Sequence, residues 1–277
     1  MGPKPDTRPQ RPVRLHEGIL RDMGGDALEP SDGPYLSEDE RIRFPDPRSS
    51  DHRGILCIGG NLSPGVLLSA YSQGIFPWFS EGEPILWWSP NPRFVLHPRE
   101  IRVSESMRKV LRKGVFRLTL DSDFRSVIEA CSTAPRPGQN GTWITRDMIE
   151  AYVRLHELGF AHSVEAWKGD ELAGGLYGVS LGRLFCGESM FFRAPNASKS
   201  ALIALAWRLA DEGFPVIDSQ VRTEHVASLG GRSIPRPRYL ELVQHCLELP
   251  GLRGSWKDLL PGFPDSASWR SSVLRGG

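Results

Sequence analysis

The sequence predicts an α+β protein in which helices pack on a mostly antiparallel sheet, and three observations carry that reading. Residues 161–192, AHSVEAWKGDELAGGLYGVSLGRLFCGESMFF, hold three extended segments separated by KGDE and SLGR, two good hairpin turns. A long helical pattern follows, NASKSALIALAWRLADEG, and leads into a short apolar strand, PVIDSQ. Hairpins followed by strand, helix and strand indicate an α+β arrangement. With 277 residues and 39% hydrophobic content, the chain is long enough for one large domain or two smaller ones.

In chain order, residues 1 to about 43 hold six prolines, many charges and few large apolar side chains. Such a stretch cannot offset the entropy of ordering by burial, so a flexible extension outside the core is expected. The character changes from Phe44: Ile55, Leu56 and Ile58 lead into a Gly-Gly turn, and Ser63 is placed to cap a short helix that opens on Pro64. Residues 74–93, GIFPWFSEGEPILWWSPNPR, gather Phe76, Trp78, Phe79, Trp87 and Trp88 around a turn broken by prolines and acids. Such a cluster is either a small core or domain interface, or a platform on which an unpaired base stacks, a contact worth about 1–3 kcal/mol per base.

PRFVLHPREIRV alternates like a strand, and SESMRKVLRKG reads as a Ser-capped basic helix that stops at Gly114. FRLTLDSDF is a strand and SDFRSVIEACST a helix. Thr145 caps a strongly patterned helix with Met148, Ile149, Tyr152, Val153 and Leu155 on its apolar stripe, and Gly159 ends it. Two further helices follow PVIDSQ, the second near RPRYLELVQHCLEL. There are no repeats or heptads.

The formal charge is +1, from 34 basic and 33 acidic residues, so the molecule as a whole does not advertise nucleic-acid binding. Locally it differs: Arg93 to Arg117 contains eight Lys or Arg against Glu100 and Glu105, a face that either tracks a phosphate backbone or is simply solvated. Cys57, Cys131, Cys186 and Cys246 lie far apart with no C-x-x-C pair and no zinc spacing. A reduced cytoplasmic protein without a structural metal is expected, unanchored, since no apolar run of about 18 residues and no signal-peptide pattern occurs.

The polar constellations are few. VIDSQ sets Asp218 and Gln220 two residues apart, hence on one side of a strand, which suits orientation of an amine; the alternative is a loop-capping Asp. Glu188 interrupts an otherwise buried segment and needs a partner, whether a structural ion pair or a substrate. The order from Leu184 to Gln220 resembles the acetyltransferase-like (GNAT-like) fold. Its loop FFRAPNASKS, however, lacks the glycines that would let backbone N–H groups hold a pyrophosphate, which disfavours coenzyme A. Ser198 is a candidate cap and Lys199 a candidate solvated first-turn residue. None of the seven histidines forms a Ser-His-Asp or Cys-His spacing.

GIFPWF, WWSPNPR, GTWIT, LFCGESMF, NASKSAL and DSQ with HVASLGGRSIPRPRYL, taken in order from Phe44 to Leu247, resemble the leucyl/phenylalanyl-tRNA–protein transferase family. The resemblance implies an enzyme that moves Leu or Phe, less readily Met, from aminoacyl-tRNA to the α-amine of proteins beginning with Arg or Lys, creating an N-degron. It implies a small N-terminal domain, 44–91, and a GNAT-like catalytic domain, 92–262, followed by a tail, 263–277, in a monomer that needs no cofactor. Trp78 and Trp143 match the positions that hold the terminal adenosine of the tRNA, with Trp87 and Trp88 left to packing. Leu176, Phe185, Gly187, Glu188, Met190, Leu202, Leu205, Ile217 and Ser219 match the aminoacyl pocket; at Leu176, Leu205 and Leu209 other members can carry Met or Phe. Asp218 and Gln220 match the catalytic pair, Asp218 being expected to receive the acceptor's α-ammonium directly or through Gln220.

The rival readings are an acetyl-coenzyme A acyltransferase and a noncatalytic RNA-binding module. A spare site suits the implied chemistry: the ester is already activated, and an amine of pKa near 8 is about a tenth neutral at pH 7, so alignment is the main task.

Overall fold

A computed structural model describes residues 35–135, 143–265 and 267–271. The reading of residues 1–34 as a flexible extension lies outside the described residues. The described chain begins with a small unit: strands β1 (Ile55–Ile58), β2 (Phe76–Pro77) and β3 (Leu86–Trp88) form an antiparallel sheet in the order β1-β3-β2, with helix α1 (Pro64–Ser72) packed beside it. The aromatic cluster is mostly this unit's core. Phe76, Phe79 and Trp87 are buried, and the Trp87 Nε1–H donates to Gly59 O at 2.9 Å. Trp78 and Trp88 stay half-buried with ring centres 5.3 Å apart.

Two expectations need correction here. Ser63 occupies the N-cap position of α1 but makes no side-chain cap; its hydroxyl accepts the Leu36 N–H at 3.1 Å instead. Leu36 and Gly65 thereby come into contact: Leu36 O accepts the Gly65 N–H, and a Cβ at Gly65 would meet Ser37 O at 2.4 Å. Leu36 is buried in the core, so the stretch before Phe44 contributes packing at its end, where one well-placed leucine outweighs a polar composition.

The larger sheet has seven strands in the order β10-β4-β9-β8-β7-β6-β5: β4 (Arg93–Leu96), β5 (Arg117–Leu120), β6 (Ala161–Lys168), β7 (Glu171–Leu181), β8 (Leu184–Phe192), β9 (Val216–Asp218) and β10 (Arg232–Ile234). All neighbours are antiparallel except β8 and β9, so the sheet is mixed. Both hairpin turns form where expected, with Gly169 and Gly182 at positive φ. β10 is not apparent in the sequence, because three residues, two of them exposed, carry no alternation signal.

Between the strands come α2 (Glu105–Arg112), capped by Ser104, α3 (Phe124–Thr133), α4 (Arg146–Glu157), capped by Thr145, α5 (Ala197–Asp211) and α6 (Glu224–Ser228); α7 (Arg236–Glu248), α8 (Trp256–Leu259) and α9 (Ala267–Trp269) follow β10. Ser198 does not cap α5. Asn196 takes that position in a left-handed conformation, and Ser198 is buried within the first turn, which rests on β7: a Cβ at Gly174 would meet Ser198 N at 3.1 Å. Each face of the sheet has its own core. One joins the small unit, α3, α4 and α7 through Leu67, Phe124, Tyr152 and Val243; the other joins α2, α5 and α8 through Leu111, Leu202 and Trp256.

One ion pair links these parts. Arg93, counted above in the basic face, is instead buried, and its guanidinium meets Asp218 in a two-point contact: Nε to Oδ1 at 2.8 Å and Nη2 to Oδ2 at 2.6 Å. Its Nη1 donates to Gly74 O, and its plane lies between the rings of Phe76 and Tyr239, 4.7 and 4.5 Å from their centres. Burial opposes the guanidinium charge, but the Asp218 carboxylate outweighs it and holds the pKa above its ordinary value. Removing one member leaves the other charged and desolvated, so Arg93→Ala is expected to lower the unfolding free energy by about 3–5 kcal/mol. Urea unfolding checks this; a loss under about 1 kcal/mol would place the pair outside the essential framework.

Candidate active site

β9 is short and ends at Asp218. Asp218 stands opposite Val95 of β4 and Cys186 of β8. The chain continues against β4 through Ser219 N–H to Phe94 O and Phe94 N–H to Gln220 O. Gln220 has φ +52°, a conformation that only a firmly held non-glycine residue keeps. Strand alternation therefore does not bring Asp218 and Gln220 together, contrary to the sequence reading; the turn does, and Gln220 N–H donates to Asp218 Oδ1 at 3.0 Å.

Asp218 is fully enclosed. Oδ1 accepts from Arg93 Nε and the Gln220 backbone, and Oδ2 accepts from Arg93 Nη2 and from the Tyr239 hydroxyl at 2.8 Å. A carboxylate with four donors and no exposure does not meet an incoming ammonium directly, which removes the direct form of the role expected for it.

The least enclosed carboxylate of the cluster is Glu188, which is half-buried. Along β8, Gly187 pairs with Gly178 and Ser189 with Tyr177, leaving Glu188 as the extra residue of a β-bulge. The bulge lets Phe185 and Met190 pack on the α5 side while Glu188 turns to the other face. There its Oε2 accepts the Tyr152 hydroxyl at 3.2 Å, and its Oε1 accepts Gln220 Nε2–H at 3.3 Å. The Tyr152 hydroxyl is in turn bonded to that of Tyr71 on α1. Burial pushes the Glu188 carboxyl up to about 8, and the bonds from Tyr71 and Tyr152 recover only part of that cost. Neither an ion pair nor a lone carboxylate, Glu188 belongs to a chain Tyr71–Tyr152–Glu188–Gln220 that crosses from the small unit to the large sheet.

The other expected positions divide by face. Leu176, Phe185, Leu202, Leu205 and Ile217 are buried in the core shared with α5, with Met190 half-buried beside them. Leu209 is buried in the same core. Gly187 keeps space open, since a Cβ there would find its nearest neighbours at 3.7–3.9 Å, around Ile217, Phe185 and Asp218. Ser219 sits between Asp218 and Gln220, its N–H bonded to Phe94. Trp78 and Trp143 are half-buried and pack on the core of the opposite face, the one that holds Tyr71 and Tyr152. Residues 136–142, just before Trp143, lie outside the described residues.

Of the basic face, α2 buries Met107 and Leu111 and exposes Lys109, with Arg108 half-buried, while Arg112 pairs with Glu105 and Arg117 lies over Trp167. Among the described residues no group of three His, Cys, Asp or Glu side chains has metal-binding geometry, and no helix is long and apolar enough to cross a membrane. Sequence reasoning missed Arg93, Tyr71, Tyr152 and Tyr239. Each looks like an ordinary helix or strand residue, and only the fold shows them sharing one polar cluster.

Comparison with known proteins agrees with this architecture. Residues 95–244 match the family described as leucyl/phenylalanyl-tRNA protein transferase, and residues 60–91 match the N-terminal domain of the same family. A leucyl/phenylalanyl-tRNA–protein transferase of Myxococcus xanthus (strain DK1622) is 53% identical over 225 residues, 81% of this chain and 96% of the relative. One from Syntrophus aciditrophicus (strain SB) is 56% identical over 227 residues, 80% of this chain and 95% of the relative. One from Desulforapulum autotrophicum is 48% identical over 230 residues, 83% of this chain and the whole of the relative. The chain belongs to the leucyl/phenylalanyl-tRNA–protein transferase family.

Proposed function

We propose that this chain transfers Leu or Phe, and less readily Met, from aminoacyl-tRNA to the N-terminal α-amine of proteins beginning with Arg or Lys, creating an N-degron. It does so as a cytoplasmic monomer without a cofactor. The supporting observation is the end of β9, where the apolar side chains of Phe185, Met190 and Ile217 lie close to the polar chain of Glu188 and Gln220 around Gly187. An apolar side chain and an amine are thereby received side by side.

The division of labour follows. The unit around residues 44–91, extended back to Leu36, and the GNAT-like domain of residues 92–262 close on the donor from two sides, with 263–277 as a tail. Trp78 and Trp143 stack on the terminal adenosine, and the exposed Lys109 of α2, with Lys113 just beyond it, follows the phosphate backbone behind it. Leu176, Phe185, Gly187, Glu188, Met190, Leu202, Leu205, Ile217 and Ser219 form the aminoacyl pocket, Leu205 from a second layer. Gln220 is the catalytic group: its carboxamide orients the acceptor amine towards the ester carbonyl. Asp218 is a positioning residue, holding Gln220 in its left-handed turn through the backbone bond. The amine attacks the carbonyl carbon, the tetrahedral intermediate collapses, and the ribose hydroxyl of the tRNA leaves with the amine's proton.

Incubation with a Lys-initiated peptide and either Leu-tRNA or acetyl-coenzyme A tests the assignment. Transfer from Leu-tRNA alone is expected; transfer from acetyl-coenzyme A would restore the acyltransferase reading, and none from either the binding-module one. If the two indoles hold the adenosine, Trp78→Ala and Trp143→Ala raise KM for aminoacyl-tRNA about tenfold or more and leave KM for the acceptor peptide unchanged. Equal damage to both constants, together with a lower Tm, would return these rings to the core.

Glu188 yields a pH test. Its folded pKa, about 8, lies above that of an unfolded glutamate, so its contribution to stability is full below about pH 4.5 and is lost as the pH rises towards 8. The Tm of the unmodified chain should therefore fall relative to that of Glu188→Gln between pH 5 and pH 9. A difference that stays constant over that range would show that the carboxyl is not desolvated.

A further inference from the structure

The region matched to the family ends at residue 244, yet the chain beyond it places a completely buried indole in the core under the pocket. This is Trp256, the first residue of α8. Its position is fixed at several points. Asp121 Oδ2 accepts the Trp256 backbone N–H at 2.7 Å and the His162 Nδ1–H at 2.9 Å, while Oδ1 accepts the Ser163 N–H at 2.9 Å. The His162 ring lies flat on the indole, with 3.9 Å between ring centres and 6° between planes. The indole Nε1–H donates to Leu252 O at 2.9 Å.

On its free side the indole faces two phenylalanines, with Phe185 at 5.6 Å and Phe214 edge-on at 6.1 Å. Phe185 is confined elsewhere as well. Its ring covers Gly178, which stands opposite His162 in register, and a Cβ at Gly178 would come within 2.6 Å of Phe185 Cζ. The ring thus lies over the sheet with the indole against it, and its direction of retreat is the volume that Trp256 fills.

We propose that Trp256 is a specificity-determining positioning residue: by fixing Phe185 it sets the depth of the aminoacyl pocket, and so the choice between Leu, Phe and larger side chains. The proposal rests on the reading of Phe185 as a wall of that pocket. Trp256 touches no substrate; it acts through Phe185. Shortening the indole lets Phe185 withdraw, and the lengthened pocket favours the larger donor. Asp121 and His162 serve the same end by holding the indole in place.

The test uses the full chain, a Lys-initiated peptide, and tRNA charged with Leu, Phe or Trp. Trp256→Leu should raise the ratio of kcat/KM for Phe-tRNA over Leu-tRNA at least fivefold and bring Trp-tRNA into measurable use, with KM for the peptide unchanged. Trp256→Phe should shift the ratio in the same direction by about two- to threefold. A merely structural role would lower transfer from every donor alike. An unchanged ratio in folded Trp256→Leu overturns the proposal; should that variant fail to fold, an unchanged ratio in Trp256→Phe does so. Absence of transfer by the unmodified chain would instead refute the underlying function, so the two failures are distinguishable.

Discussion

The arrangement depends on the buried contact between Arg93 and Asp218. Two charges have been taken out of water, at a cost of several kcal/mol each in general, and such a pair persists only where geometry and further bonds are complete. Here they are complete. Asp218 has four donors, and Arg93 has a carboxylate, a backbone carbonyl and two aromatic faces. Because Gly74 and Phe76 belong to the small unit, Tyr239 to α7 and Asp218 to the central sheet, the pair fastens three parts at one point. It also explains how Gln220 keeps a positive φ, since its backbone N–H is tied to the same carboxylate.

From that point a chain of polar groups runs back into the molecule, with Glu188 its least enclosed member. Gln220 bonds to Glu188, Glu188 to Tyr152, and Tyr152 to Tyr71, so the orientation of the carboxamide is coupled to α1, far away in sequence. The chemistry asks for little more. An aminoacyl ester and a partly neutral amine need alignment and a dry, shaped surface more than a strong base. The apolar residues around Phe185 are backed by an aromatic stack that the sequence outside the family-matched region completes.

Much of the fold was legible because its signals are local. KGDE and SLGR placed glycines where the hairpins need positive φ, and Ser104 and Thr145 accept bonds from the first turns of their helices as expected. What stayed hidden depends on distant partners. Arg93 and Asp218 are 125 residues apart, and nothing near Arg93 distinguishes it from the solvated arginines that follow. Ser63 and Ser198 looked like caps, but one hydroxyl was taken by Leu36 and the other was displaced by Asn196. The Glu188 bulge was invisible for a similar reason: a strand's sequence does not record the register of its neighbour. Asp218 and Gln220 do lie together, but through the left-handed turn at Gln220, which two-residue alternation does not reveal.

The single-turnover transfer rate of Asp218→Asn, followed across acceptor concentration and from pH 7 to 9, tests the central claim most directly. If Asp218 acts by holding Gln220, the rate at saturating peptide falls for every acceptor, whether its first residue is Arg, Lys or uncharged. Raising the pH then does not restore the rate. Rescue towards pH 9 would make Asp218 a general base, and a deficit confined to basic acceptors and abolished by high peptide concentration would make it their binding site; either result contradicts the positioning role.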